Sequence, residues 1–176
     1  MTFLTVGHSN RTLEHFIAIL EAHGVRRIVD VRSIPRSRRH PHFDTEALSR
    51  SLGLRGIAYE HRPGLGGRRR PMPESKNTGL RDEGFRGFAD YMQTAEFETA
   101  LAALVAERSE PGVALMCAEA DASHCHRGLI ADALVARAHS VVHLESMTEA
   151  RPHALSRAAC VDSLGHVTYP GPRSLL

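Results

Sequence analysis

Residues Val113–Ala138 read V-A-L-M-C-A-E-A-D-A-S-H-C-H-R-G-L-I-A-D-A-L-V-A-R-A. The stretch opens as an apolar run without polar alternation, the pattern of a strand buried on both faces of a parallel sheet. It closes with Leu129, Ile130, Leu134 and Val135 at helical spacing. Between the two lie Cys117, Glu119, Asp121, His124, Cys125, His126 and Arg127. A strand passing through a polar turn into a helix is the unit of an α/β sheet, and such sheets bind ligands beyond the carboxyl ends of their strands. There the next helix offers unpaired N–H groups to an anion. A buried free cysteine is often only a small hydrophobe, so Cys117 alone would not mark a site. Thiols, imidazoles, carboxylates and a guanidinium within one turn exceed what a structural turn needs.

Working outward, Phe3–Val6 predicts a first strand running into the polar turn Gly7-His8-Ser9-Asn10. Leu13, Phe16, Ile17 and Leu20 then repeat at i, i+3, i+4 and i+7, with Thr12 placed to cap the helix and Gly24 to close it. Ile28–Val31 predicts a second strand, followed by Arg32-Ser33-Ile34-Pro35-Arg36, where Pro35 bars an immediate helix. A short helix over Thr45–Leu52 follows, capped by Asp44 and ended by Gly53. Gly56–Glu60 reads as a third strand.

From His61 to Asp82 the chain is rich in Gly, Pro and Arg and has no apolar period. A loop this long is usually functional or disordered, so Gly64–Arg70 reads equally as an anion cradle and as a solvated tip. Helices are predicted around Phe85–Met92 and from about Glu96 to Arg108, with a break at Pro111-Gly112. Val141–Leu144 is a fifth strand, Arg151–Ser156 is irregular, and Cys160-Val161 pairs with the region around Val167 as a hairpin. The alternation predicts one three-layer α/β domain over residues 1–176, with a mainly parallel sheet of about five strands, helices on both faces and a small C-terminal hairpin.

Composition narrows the function classes. The net charge is +2, yet Arg26–Arg86 holds 15 Lys plus Arg against 7 Asp plus Glu, and Lys76 is the only lysine. The planar fork of arginine suits phosphate and carboxylate, although a genome rich in G and C produces the same bias. Three cysteines, no signal-like N-terminus and no apolar run of membrane-spanning length predict a reduced cytoplasmic protein with no membrane partner.

If the sheet is parallel, its turns bring His8, Ser9 and Asn10, then Asp30 and Arg32, then Glu60 and His61, then Cys117 and Glu119, and finally His143 or Glu145 towards one edge. Three readings follow. In the first, an enzyme holds a small anionic ligand, phosphorylated or nucleotide-like, with Arg32, Arg36, Arg127, Ser9 and Asn10. Cys117 or Cys125 is then the nucleophile, Cys125 favoured by its place nearer the helix start, and Glu119 or His8 moves protons. The Cys-x5-Arg loop of cysteine phosphatases is absent, because Cys117 plus six is Ser123 and Cys125 plus six is Ala131. In the second, Cys117, Cys125 and His126 bind zinc or iron, with Glu119, His124 or His8 completing the shell, or with an open fourth position as in a catalytic centre. In the third, the basic segment contacts nucleic acid, with Tyr59 or Phe43 for stacking; the absence of tryptophan and the few aromatics among the arginines weigh against it.

The chain resembles the bacterial and archaeal family known as domain of unknown function 488. The likeness rests on T-V-G-H-S-N at Thr5–Asn10, V-D-V-R-S-I-P-R-S-R at Val29–Arg38, L-G-G at Leu65–Gly67, M-C-A-E at Met116–Glu119, C-H-R at Cys125–Arg127 and G-H-V-T-Y-P-G at Gly165–Gly171. The resemblance implies an α/β fold with a site at these motifs, and implies no reaction. Some members carry loose DNA-repair labels.

Overall fold

In the computed structural model, residues 2–107 and 112–171 are described. Five strands run parallel: β1 (Thr2–Gly7), β2 (Arg27–Asp30), β3 (Ala58–His61), β4 (Val113–Cys117) and β5 (Ser140–Leu144). A sixth, β6 (Ala150–Pro152), pairs antiparallel with β5, giving the order β3-β2-β4-β1-β5-β6. The hairpin β7 (Cys160–Val161) and β8 (Val167–Thr168) forms a separate two-stranded sheet. The parallel sheet and the hairpin are as the sequence indicates, whereas β6 takes up Arg151 and Pro152 of the segment expected to be irregular, and residues 153–156 have no regular element. Its three residues are all exposed and include Pro152, so no apolar alternation announces it.

Side-chain alternation along the strands sorts the core into two layers. Phe3, Val29, Val31, Val113, Leu115 and Cys117 face α3 (Glu83–Tyr91), α4 (Ala95–Ala106) and α5 (His126–Ala136). Val6, Ile28, Ala114 and Met116 face α1 (Leu13–Ala22) and α2 (Thr45–Gly53). The expected end of α4 at Arg108 and the break at Pro111 lie outside the described residues. Thr12, Asp82 and Thr94 accept backbone N–H groups at the starts of α1, α3 and α4, the arrangement expected of N-caps.

Strand order positions the site. β1 and β4 are neighbours, but the chain leaves β1 for α1 on one face and leaves β4 for α5 on the other. Where consecutive connections diverge to opposite faces, a crevice opens at the carboxyl ends of the strands. Gly7 permits the closeness there: a Cβ at that position would lie 1.7 Å from the Glu119 carbonyl oxygen. His8 N–H then bonds the Cys117 carbonyl at 3.0 Å and Ser9 N–H the Ala118 carbonyl at 2.7 Å, joining the two turns.

The 61–82 segment is not a free tip. A 3-10 turn at Pro63–Leu65 buries Leu65. Asp90 of α3 accepts from Met72 N–H, Ser75 Oγ and Asn77 Nδ2, and the Arg69 guanidinium lies 3.7 Å from the centre of the Tyr91 ring. Tethered in this way, the loop lies across the edge of the crevice.

Candidate active site

A cavity of about 960 Å³ occupies the crevice, lined by residues from the turns after β1, β2 and β4 and from the tethered loop. Cys117, Cys125, His126, Glu119, His8, Ser9, Asn10, Arg32 and Arg36, all singled out by sequence, line it together.

Cys117 ends β4, and Cys125 is the N-cap of α5, its sulfur accepting Arg127 N–H at 3.5 Å. Both thiols are buried, at 7% and 3% exposure. His126 Nε2 lies 2.9 Å from the Val31 carbonyl oxygen, which can only accept, so Nε2 carries a proton and, in the neutral ring, Nδ1 is the lone pair. That lone pair faces both sulfurs, at 3.8 Å from Cys117 and 3.7 Å from Cys125. Phe88 packs against the imidazole at 5.0 Å between ring centres, and a Cβ on Gly67 would fall 2.3 Å from Nδ1. Only glycine at 67 allows the loop to press on the ring.

The two thiols titrate as a pair. The Cys125 thiol donating to it, with His126 beside it, lowers Cys117 well below an ordinary thiol. That same bond and burial raise Cys125. The helix start nevertheless favours negative charge on the Cys125 sulfur, so the first ionisation of the pair is easy and the second hard.

His8 stacks on Phe43 at 4.2 Å, holds the Ser9 carbonyl through Nδ1 at 2.9 Å and faces Arg32 through Nε2 at 3.3 Å. Burial lowers its pKa to about 4, with the Arg32 charge acting in the same direction. It is therefore a neutral imidazole near pH 7. Arg32 is clamped by Asp30 through Nε and a terminal nitrogen, and the latter also donates to the Phe43 carbonyl at 2.8 Å. Tyr59 steadies the same carboxylate at 2.7 Å. This buried carboxylate orients Arg32 and leaves its remaining terminal nitrogen towards His8.

Arg127 is placed differently from the sequence expectation. At 1% exposure it does not line the cavity; its terminal nitrogens donate to the Val6, Glu119 and Ala120 carbonyls at 2.9–3.0 Å. It ties the 117–125 turn to β1. Glu60 pairs with Arg62, Glu145 with Arg151, and His143 with Thr5, so these carboxylates and this imidazole stand outside the cavity lining. The register explains His143: it sits opposite Thr5, two residues short of the carboxyl end of β1. His61 also serves the backbone, bonding the Arg32 carbonyl at 2.8 Å.

The structure adds Arg39, Arg68, Ser33, Ser37 and His40 to the lining. The arginine-dense segments around them were visible in sequence, but which arginines turn inwards depends on the loop's tethers. Asp82, from the start of α3, and Glu119 are the carboxylates that line the cavity, both exposed.

Among the described residues no helix is long and apolar enough to cross a membrane. Neither the curated proteins nor the solved structures include a match to this chain. The sequence model of the family described as "Domain of unknown function DUF488" matches residues 12–134, from the start of α1 through most of α5, and so takes in the Arg32 segment, the tethered loop and the Cys-His-Arg turn. Because that match spans more than half of the sequence, the chain belongs to the DUF488 family.

Proposed function

We propose that the protein is an enzyme acting on a small phosphorylated or nucleotide-like anion, held in the crevice with its reacting group towards Cys117, Cys125 and His126. The observation that carries this reading is the lining itself: Arg32, Arg36, Arg39 and Arg68 share one cavity with the two buried thiols and the oriented imidazole. Arg32 is pre-oriented by Asp30, so it binds an anion with little further loss of side-chain freedom. Arg36, Arg39 and Arg68 are exposed and add the charge that attracts the ligand. Ser9 and Asn10 supply neutral polar groups on the opposite lip, and Glu119 is the carboxylate nearest in sequence to the thiols. His8, neutral near pH 7, is able to accept a proton once a ligand takes its place on Arg32.

The test is calorimetric titration with inorganic pyrophosphate, a nucleoside diphosphate and a short single-stranded oligonucleotide. The expected result is binding of the small anions, weakened tenfold or more in both Arg36→Ala and Arg68→Ala. Oligonucleotide binding with a steep salt dependence and no small-anion binding would replace this reading with a nucleic-acid surface. Absence of all three would remove it.

A further inference from the structure

The three side chains at the floor of the cavity form a constellation with its own consequence. The Cys117 sulfur, the Cys125 sulfur and one ring nitrogen of His126 all lie within 4.8 Å of one another. A tetrahedral ion bound at about 2.3 Å from sulfur and about 2.0 Å from nitrogen separates such donors by roughly 3.5 Å. Here the Nδ1-to-sulfur distances are 3.7 and 3.8 Å. A cation placed among the three atoms uses a lone pair from each.

The groups behind these atoms have the form of an outer shell. Metal-bound histidine commonly donates its other ring N–H to a carbonyl, as His126 does to Val31. The Cys125 sulfur accepts a backbone N–H from the start of α5. Packing by Phe88 and Gly67 holds the imidazole in place before any ligand arrives. The three residues also line the cavity, alongside His8 and Arg32.

We infer that Cys117, Cys125 and His126 bind a divalent ion of the zinc class, leaving a coordination position for a ligand oxygen in the arginine-lined cavity. Binding displaces the two thiol protons to solvent, forms two sulfur–metal bonds and one nitrogen–metal bond, and leaves the Nε2 proton on the ring, donated to the Val31 carbonyl. Two thiolates balance the charge of the ion, so the centre adds no net charge to the cavity. The ion supplies Lewis acidity towards a ligand oxygen. What it does there rests on the anion-enzyme reading; whether it binds does not.

The experiment uses full-length protein without a polyhistidine tag, carrying Cys160→Ser so that the exposed third thiol is absent. After treatment with a chelator it is titrated with Co²⁺, then Zn²⁺. Expected are stoichiometric binding, a sulfur-to-cobalt charge-transfer band with the visible bands of tetrahedral Co²⁺, and bleaching of both by zinc. Cys125→Ser and His126→Gln each reduce cobalt affinity a hundredfold or more while far-ultraviolet circular dichroism is unchanged. If a variant fails to fold, the wild-type chain decides: zinc should protect Cys117 and Cys125, but not Cys160, from alkylation read by mass spectrometry. A Cys160→Ser protein without a cobalt spectrum, a spectrum that survives Cys125→Ser, or thiols alkylated equally with and without zinc overturns the site. Pyrophosphate titrations of the cobalt form separate the two proposals, since loss of anion binding with an intact spectrum breaks only the anion reading.

Discussion

Two buried polar clusters lie on either side of β1, and they use their polarity in opposite ways. Away from the crevice, Thr5 Oγ1 lies 2.6 Å from His143 Nδ1, His143 Nε2 lies 2.9 Å from His153 Nδ1, and His153 Nε2 lies 2.8 Å from Asp132. Asp132 also accepts from Tyr169 at 2.7 Å and from Ser156 N–H at 2.9 Å. The chain is satisfied when both imidazoles are neutral, each donating towards Asp132. It fastens β5, α5 and the C-terminal segment together. In the crevice, by contrast, two sulfurs and one ring nitrogen, each a metal-ligating atom, face one another at the cavity wall, the nitrogen 3.8 and 3.7 Å from the sulfurs. Buried polar groups that are fully paired stabilise a fold, and groups left with spare acceptors are free to take a ligand.

The largest effect should come from breaking the satisfied cluster. Asp132→Ala strands Tyr169, His153 and Ser156, and should lower unfolding stability by about 4 kcal/mol in chemical denaturation. It should also speed proteolysis beyond β6. A wild-type denaturation midpoint in this variant would mean that the network does not hold the C-terminal segment.

Acid should reach the same cluster more gently. Burial lowers His143 to about 4, helped by His153, Arg127 and Arg151 and opposed by Asp121. The unfolded chain takes up this proton near pH 6.5 and the folded protein only near 4, so stability falls as the pH drops through that window. The loss is on the order of 3 kcal/mol at most. His8 contributes in the same direction. Denaturation curves between pH 7 and 4 should therefore be shallower, but not flat, in His143→Asn; an unchanged slope would exclude His143 as a source.

Smaller effects belong to the crevice. Gly67→Ala places a methyl group against the His126 ring and should cost about 2 kcal/mol. Its sharper consequence is loss of the cobalt spectrum as the imidazole turns away. Cys117→Ser should cost only about 1 kcal/mol, since a small buried thiol gives way to a hydroxyl, yet it should abolish metal binding. A large stability loss with metal binding retained would reverse the contrast between the two clusters.

Much of the arrangement was legible locally. The unbroken apolar run Val113–Met116 marked a central parallel strand, and the residues after it marked a site, because strand burial and helix capping depend on near neighbours. Arg127 shows where that logic stops. Beside two cysteines it looks like an anion ligand, but its carbonyl partners at Val6 and Glu119 come from β1 and from the turn after β4. The loop at 61–82 has no apolar period to announce order, since its tethers are distant polar and aromatic groups, among them the carboxylate of Asp90 and the ring of Tyr91.

By itself the sequence determined the alternation of strands and helices, the separation of the two core faces and the turns that carry chemistry, all of which follow from short-range periodicity and capping. Only the tertiary structure decided that β4 lies between β1 and β2, that His126 presents Nδ1 to both sulfurs, that Arg32 faces the cavity and that Arg127 does not. Those outcomes depend on strand order and on which distant carbonyls each buried donor meets, and no local pattern encodes either.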